Sequence, residues 1–201
     1  MPSLKYTPDW SFERQYAGPV CGVDEAGRGP LAGPVVAAAV IFPEPRAPKG
    51  LTDSKRLSDK QREQLLTIIM QNAYVGIGIS EPEEIDRINI LQASLTAMKR
   101  AILDLEARPA AALIDGNKIP DIDLPCQAIV KGDARSFSIA AASIVAKVTR
   151  DRLMIRANRR FSGYDLDRHK GYPTKAHREQ LVSLGASPIH RFSFNPVKAV
   201  L

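Results

Sequence analysis

Adjacent carboxylates lead directly into a glycine-flanked arginine in the segment Val23-Asp24-Glu25-Ala26-Gly27-Arg28-Gly29-Pro30. Two like charges at the end of an apolar strand repel each other, so a fold gains nothing from this placement unless a cation neutralises them. Glycines let the backbone approach a ligand closely, and arginine offers a planar fork of donors that suits phosphate. Metal ligands beside a phosphate-binding loop predict phosphoryl-transfer chemistry.

Two further carboxylates follow apolar runs that are typical of strands. Asp115 follows the run 110–114, and Asp133 comes soon after the run 126–130. Ligands of open α/β sheets bind beyond the strand ends, and hard cations such as Mg²⁺ or Mn²⁺ prefer oxygen ligands. We therefore predict a site for divalent Mn²⁺ or Mg²⁺ whose catalytic and metal-binding residues are Asp24, Glu25, Asp115 and Asp133.

Single members of this set have plainer explanations. Asp115-Gly116-Asn117 has the composition of a turn, and Asp133 could serve only as the cap of the helix that follows it. The Asp24-Glu25 pair has no comparable structural explanation. The coincidence of all four carboxylates therefore favours metal ligation.

Asp151 is a tempting fifth ligand that helix geometry excludes. It lies 18 residues beyond Asp133, which is roughly 27 Å along a continuous helix. We expect it to pair instead with a neighbouring arginine, Arg150 or Arg152.

Other catalytic motifs do not fit the sequence. Gly27-Arg28-Gly29 followed by Gly33 is not a G-x-G-x-x-G dinucleotide motif, because the third glycine comes one residue late. No G-x-S-x-G or Walker-type pattern is present. The three histidines are spaced irregularly, so a zinc site is not expected.

The elements that must position these residues form an α/β pattern. Leading strands followed by alternating helices and strands predict a layered α/β domain with a basic helical tail. Strands are expected at residues 20–23, 34–42, 73–80, 110–114 and 126–130. Helices are expected to start at the capping boxes Ser58–Gln61 and Ser80–Glu83, and to cover about 88–107, about 136–160 and a final stretch from Thr174 to Gly185.

Composition limits the class of protein. With 201 residues and 44% hydrophobic content, the chain can bury one sizeable core. No apolar run is long enough for a transmembrane helix, and residues 1–18 lack the apolar segment of a signal peptide. Cys21 and Cys126 fit neither a disulfide framework nor a zinc motif and are expected to be core thiols, so a reducing cytoplasm is predicted.

Positive charge is concentrated near the C-terminus. Residues 147–201 carry 12 Lys and Arg against 4 Asp and Glu, although the whole chain has a net charge of only +6. Such asymmetry is expected of a surface that neutralises nucleic-acid phosphates, but a solvated helix face would give the same count.

The ordered set of motifs resembles that of the type 2 ribonucleases H, specifically bacterial ribonuclease HII. The matching segments are Asp24–Val35, Leu51–Lys55, Ile114–Asn117, Lys131–Asp133, Ala141–Asp151, His169–Thr174 and Ser187–Arg191. They run in order through nearly all of residues 19–196.

This resemblance implies a ribonuclease H-like fold with a mixed five-stranded sheet flanked by helices and a helical C-terminal extension. It also implies a division into an N-terminal arm, 1–18, and a single catalytic domain, 19–201. The implied activity is hydrolysis of the RNA strand of RNA–DNA hybrids and incision at single ribonucleotides in duplex DNA, leaving 3′-hydroxyl and 5′-phosphate ends, by two-metal catalysis.

The resemblance also assigns roles to individual residues. By position, Asp24, Glu25, Asp115 and Asp133 match the family's metal-binding residues. Gly27, Arg28 and Gly29 match its ribose-reading loop, and Tyr172 matches a tyrosine that packs on the adjacent sugar. A protein that distinguishes RNA from DNA must contact the 2′-hydroxyl, and a loop with little side-chain bulk can approach it closely.

Several basic residues are candidate phosphate contacts. They are Lys55, Lys147, Arg168, Lys170 and Lys175; such residues position a duplex without reading its sequence, and each has solvated surface as its alternative. Tyr172 has a core aromatic as its alternative, but its setting among lysines favours exposure.

Two other functions remain open at this point. A non-catalytic hybrid-binding module would keep the fold without an intact acidic set, whereas this set is complete. A DNA nuclease of the same superfamily would cut all-DNA duplexes.

The protein is expected to be a monomer that does not associate with a membrane. No surplus amphipathic surface demands a dimer.

Overall fold

The structure is a computed structural model that describes residues 6–201, and a mixed five-stranded sheet stands at its centre. The strands are β1 (Val20–Ala26), β2 (Val35–Ile41), β3 (Tyr74–Ser80), β4 (Ala111–Asp115) and β5 (Cys126–Ile129). They lie in the order β3-β2-β1-β4-β5. β1, β2 and β3 pair antiparallel, while β4 pairs parallel with both β1 and β5. The predicted fold class is confirmed.

Helices cover both faces of this sheet. They are α1 (Asp59–Asn72), α2 (Pro82–Leu103), α3 (Phe137–Arg160), α4 (Leu166–His169), α5 (Lys175–Leu184) and α6 (Asn195–Lys198). Short 3₁₀ turns occupy Glu13–Gln15, Ser54–Arg56 and Gly132–Ala134. Alternate residues of β2 face opposite layers: Ala37 and Ala39 pack in the cluster with α2, while Ala38 and Val40 pack with α1 and α3. This alternation is the period of two expected for a strand buried on both faces.

The helix α3 lies very close to β1, the strand that carries Asp24. A Cβ added at Gly22 would stand 2.1 Å from the backbone carbon of Ser138. Any side chain at this position would therefore push α3 away from the sheet. The glycine lets the helix that carries Lys147 and Arg150 lie directly against the strand that carries the carboxylates.

Most of the predicted helix signals are confirmed. The Ser58–Gln61 capping box is present, and Thr174 and Gly185 cap the two ends of α5. A further short helix, α6, follows the one that the sequence predicted to be last.

The prediction for the second helix was wrong in two respects. Ser80 does not cap it, because its hydroxyl donates to the carbonyl of Ala93 and Glu81 takes the capping position. The helix covers 82–103 rather than 88–107, and Asn89 interrupts it with φ 67° and ψ 164°. The Asn89 side chain accepts the backbone N–H groups of Leu91 and Gln92 and so begins a second helical segment.

The described part of the N-terminal segment docks on the start of α3. The Asp9 carbonyl accepts the N–H of Phe137, and the ring of Trp10 packs edge-on against Phe42 at 5.6 Å. One carboxylate oxygen of Glu13 accepts from the hydroxyl of Ser136 and the N–H of Ser138. This segment therefore helps to begin the helix, and the division into an arm, 1–18, and a catalytic domain, 19–201, stays a prediction whose first five residues lie outside the described structure.

The two cysteines differ in burial. Cys21 is fully buried, and burial raises the pKa of its thiol to about 12, whereas Cys126 is partly buried and packs against the edge of the same core. Within residues 6–201, no helix combines the length and the apolar character needed to cross a membrane. The predicted cytoplasmic location stays a prediction.

Candidate active site

Strand pairing brings Asp24 and Asp115 to the same edge of the sheet. β1 and β4 run parallel with Val23 opposite Ile114, so the next residue of each strand is a carboxylate. Asp24 is 6% exposed, and Glu25 beside it is partly buried. Three of the four predicted ligands therefore meet where the parallel strands end.

Asp133 reaches the same edge through the turn after β5. The Gly132 N–H donates to a carboxylate oxygen of Asp115 at 2.6 Å, which ties that turn to the end of β4. Asp133 is buried, and the ammonium of Lys55 lies 3.5 Å from its carboxylate. Asp133 is not the cap of α3, because Ser136 takes the capping position and its hydroxyl accepts the N–H of Ile139.

The carboxylates repel one another in a setting that water reaches poorly. Burial, followed by repulsion from Glu25 and Asp115, raises the pKa of Asp24 well above its usual value. Burial also raises the pKa of Glu25 to about 7, against the lowering effect of Arg28. The pKa of Asp133 rises through burial and the nearby Asp115. A cation placed among these carboxylates would reduce the repulsion between them.

A hard divalent cation fits this donor set. Among residues 6–201, no three histidine, cysteine or carboxylate side chains stand close enough, as placed, to hold a metal ion. The oxygen chemistry nevertheless suits such an ion, and one buried carboxylate oxygen of Glu25 has no hydrogen-bond partner in the described part of the chain. An orphaned buried acceptor is costly, so this oxygen is a ready ligand.

The carboxylate edge opens into a cavity of about 270 Å³. Its lining includes most of the predicted site, namely Asp24, Glu25, Gly27, Arg28, Gly29, Lys55, Asp115, Lys147 and Tyr172. A larger cavity of about 590 Å³ lies beside Trp10 and Phe42, but its lining is mainly apolar. The chemistry of the lining, rather than volume, therefore identifies the candidate site.

The glycines of the Gly27–Gly29 loop differ in their surroundings. Gly27 is buried with φ +102°, and a Cβ there would stand 2.1 Å from Nε of Arg150. Gly29 is exposed, and its Cβ would meet only a ring carbon of Tyr172 at 3.9 Å. The fold itself requires a glycine at 27, whereas the space above Gly29 stays open to the cavity.

Tyr172 stands at the rim of the cavity. It is 41% exposed, which excludes the core-aromatic alternative. The ammonium of Lys147 and the guanidinium of Arg150 both lie 5.9 Å from the centre of its ring. Both cations are therefore within cation–π distance of the ring, and its exposure leaves part of the ring accessible to another molecule.

Three of the predicted phosphate contacts lie outside the cavity lining. The ammonium of Lys170 bonds back to the carbonyl of Asp167, and its side chain lines a neighbouring cavity of about 190 Å³. Lys175 pairs weakly with Glu179 at 3.8 Å, and Arg168 is exposed. These residues therefore lie away from the carboxylate cavity, and their role as phosphate contacts stays a prediction.

The predicted partner of Asp151 was wrong. Its carboxylate accepts from Lys147 at 2.8 Å, one helical turn earlier, while Arg152 pairs with Glu63. Arg150 points into the protein and bonds only to carbonyl oxygens. Spacing of three or four residues along a helix, rather than adjacency, brings side chains together.

Sequence reasoning missed three polar residues of the lining. The hydroxyls of Ser54 and Ser143 are 2.8 Å apart and join the Lys55 turn to α3 beside Asp24. Arg62 donates to the carbonyls of Ser54 and Leu57 and so fixes the same turn. Both serines lie in segments that carried the resemblance, but a hydroxyl in an alanine-rich helix gives no signal of its own.

Comparisons with known proteins identify the family of the chain. The family model described as Ribonuclease HII matches residues 21–197. The chain is 56% identical to the ribonuclease HII of Maricaulis maris over 90% of this chain and 84% of the relative. It is 54% identical to that of Dechloromonas aromatica over 90% of this chain and 92% of the relative. The solved ribonuclease H2 of Pyrococcus horikoshii superposes with a TM-score of 0.76 at 27% identity, covering 90% of this chain and 96% of the other.

Proposed function

The chain belongs to the ribonuclease HII family and is a ribonuclease; from this premise, we propose that it is an endonuclease acting on RNA–DNA hybrids and on DNA duplexes that contain single ribonucleotides. It would cut on the 5′ side of the ribonucleotide and leave 3′-hydroxyl and 5′-phosphate ends. Its cellular role would be the removal of ribonucleotides from DNA.

The four carboxylates would hold the metal that this chemistry needs. Asp24, Glu25 and Asp115 offer oxygens at one edge, with Asp133 beside them. Two bound divalent ions, Mg²⁺ or Mn²⁺, would supply an activated water and charge stabilisation for the leaving oxygen.

The remaining residues have separable tasks. Lys55, drawn to Asp133, offsets part of the negative charge before substrate arrives: burial lowers its pKa, but Asp133 and the other carboxylates raise it overall. Gly29 leaves room for a sugar beside Tyr172, whose ring would pack on the neighbouring deoxyribose. Lys147 and Arg28 line the same cavity and are placed to contact phosphate.

One observation carries the proposal. The strand-end carboxylates and the open space above Gly29 line the same cavity, with Tyr172 at its rim. A metal-assisted nuclease without selectivity for ribose would need the first feature alone. The two together support phosphodiester chemistry next to a position that could test for a 2′-hydroxyl.

Cleavage of three matched duplexes tests this function. One contains a single ribonucleotide, one is an RNA–DNA hybrid and one is all DNA, each with Mn²⁺, with Mg²⁺ and with chelator. We expect cutting of the first two only, and only with metal. Binding to the hybrid without cutting would favour a non-catalytic module, and cutting of the all-DNA duplex would favour a DNA nuclease.

A further inference from the structure

Arg191 is a fully buried arginine whose partners are all backbone carbonyls. It is 0% exposed, and its guanidinium donates five hydrogen bonds to the carbonyls of Gly27, Arg28, Pro30 and Gly33 at 2.6–3.0 Å. A guanidinium has five N–H donors in one fixed plane. Every donor is therefore used on the loop that joins β1 to β2.

Asp86, the acid whose charge acts on this guanidinium, forms no ion pair with it among residues 6–201. The carboxylate of Asp86 accepts instead from the backbone N–H groups of Phe192 and Ser193, the two residues that follow Arg191. Burying a charge without a counter-ion is costly unless its hydrogen bonds are complete. The four carbonyls of this loop must therefore face inward, because they complete the hydrogen bonds of the buried charge.

Inward carbonyls fix the direction of the amides that follow them. In a trans peptide the C=O and the next N–H point to opposite sides, and the described chain has no cis peptide. The Leu31 N–H, which follows the Pro30 carbonyl, donates away from Arg191 to Gly171. By the same geometry, the N–H groups of Arg28 and Gly29 point away from the guanidinium.

These two amides lie on the exposed side of the loop. Arg28 and Gly29 are both exposed and line the carboxylate cavity. Neither amide donates to an acceptor within residues 6–201. They are free donors, and their direction is fixed by the hydrogen bonds from Arg191 to the carbonyls of Gly27 and Arg28.

We propose that Arg191 is a positioning residue for ribose recognition, which holds the Gly27–Gly29 peptide planes so that the Arg28 and Gly29 amides face the substrate. This inference rests on the proposed reading of ribose by that loop. Arg150 supports the same arrangement from the side, through the carbonyls of Ala32, Pro34 and Lys170. Lysine could not replace Arg191, because one ammonium has three donors without a fixed plane.

Arg191→Lys tests the proposal, with Asp86→Ala as a matched control that loosens the same C-terminal turn without touching the loop carbonyls. The first readout is affinity, in chelator, for a duplex with one ribonucleotide relative to the all-DNA duplex. We expect Arg191→Lys to lose this preference while its affinity for all-DNA duplex stays unchanged. Its kcat/KM on the ribonucleotide substrate should fall by about 10²-fold, the scale for misplacement of a bound group by about 1 Å.

The control should behave differently. Asp86→Ala should lower the melting temperature but keep the preference for a ribonucleotide. Retention of that preference by Arg191→Lys, or an equal loss in both variants, would overturn the positioning role.

Amide hydrogen exchange of the wild-type protein covers the case in which Arg191→Lys does not fold. The Arg28 and Gly29 amides should exchange rapidly in the free protein and become protected by the ribonucleotide duplex but not by all-DNA duplex. Slow exchange in the free protein would contradict the orientation proposed here. Failure of the wild-type protein to cut any ribonucleotide substrate would contradict the proposed function instead, so the two failures are distinguishable.

Discussion

Buried charges of opposite sign lie on either side of the loop between β1 and β2. On one side, Asp24 and Glu25 lie close to Asp115, and one oxygen of Glu25 has no partner within residues 6–201. On the other side, Arg150 and Arg191 are at most 1% exposed. Burial lowers their pKa values to about 10 and about 9, yet they make eight hydrogen bonds to carbonyls.

The two sets show how a buried charge can be assigned to structure or to function. The guanidiniums are completed by the protein's own backbone, so they need no ligand and serve to hold the loop. The carboxylates repel one another and one Glu25 oxygen lacks a partner among residues 6–201, so a cation from outside would stabilise them. Substitutions near the two sets should therefore separate loss of activity from loss of stability.

Removing one carboxylate from the group Asp24, Glu25 and Asp115 should have the largest effect on activity. Asp24→Asn should lower kcat by at least about 10³-fold, because a metal ligand contributes several kcal/mol to charge stabilisation in the transition state. Without metal its melting temperature should not fall, since the substitution removes repulsion from Glu25 and Asp115. Steady-state cleavage and thermal unfolding with and without Mn²⁺ measure the two effects.

Asp121→Asn is the control for this experiment, because Asp121 is an exposed carboxylate in the segment after β4. It should keep both activity and the stabilisation by metal. Near-normal cleavage by Asp24→Asn would remove the basis for the metal assignment.

The two glycines of the loop should separate stability from activity. Gly27→Ala should cost at least about 2 kcal/mol of unfolding free energy, because it combines positive φ with a clash against Arg150. Gly29→Ala should cost less than about 1 kcal/mol, since nothing in the protein crowds it, but should reduce cleavage by about tenfold or more. Urea unfolding and kcat/KM on the single-ribonucleotide duplex test the pair, and an active Gly29→Ala enzyme would argue against a sugar above that residue.

Loss of the Tyr172 ring at the edge of the carboxylate cavity should have a smaller effect on activity. Tyr172→Ala should reduce kcat/KM for the single-ribonucleotide duplex by about tenfold, the scale of one lost stacking contact. Tyr172→Phe keeps the ring and should stay close to wild type. The concentration of Mn²⁺ that gives half-maximal activity should not change in either variant, and an equal loss of metal affinity would count against a substrate contact.

Protonation of a buried histidine pair should have the smallest effect. The Tyr172 carbonyl can only accept, so Nδ1 of His177 carries a proton and its Nε2 accepts from His190, 3.1 Å away. Nδ1 of His190 then accepts from Ser187. In this arrangement both histidines are neutral and fully bonded.

Burial, followed by the neighbouring His177, lowers the pKa of His190 from 6.5 to about 4. The unfolded chain therefore binds a proton first as the pH falls below 6.5, and the folded state loses about 1 kcal/mol by about pH 5.5. Urea unfolding at several pH values should show this loss, and His190→Gln should reduce the slope. An unchanged slope in that variant would exclude this source of pH dependence.

The sequence was sufficient to predict the sheet and the acidic edge. Strand-end carboxylates such as Asp115 follow apolar runs, and the pairing of parallel strands then determines which residues become neighbours. The capping signals at Ser58 and Thr174 were also sufficient, because they act within one helical turn.

What could not be predicted depends on contacts between distant parts of the chain. Arg150 and Arg191 look like members of a basic surface, and only the fold shows that both point inward. The positive φ of Asn89 depends on tertiary structure, and the apolar stripe of α2 gives no sign of it. Gly27 and Gly29 have different roles because Arg150 lies against Gly27 and open space lies above Gly29. The spacing of residues within the motif carries no information about these neighbours.

The bond from Arg191 to the Gly27 carbonyl also has a consequence for the order of events during synthesis. The two residues are 164 positions apart, and contacts of such separation form late because the intervening chain must first be ordered. While the ribosome is still extending the chain, the strands and their carboxylates can assemble, but the loop lacks the residue that sets its shape. The proposed discrimination between sugars would thus be acquired only after almost the entire length of the chain has been translated.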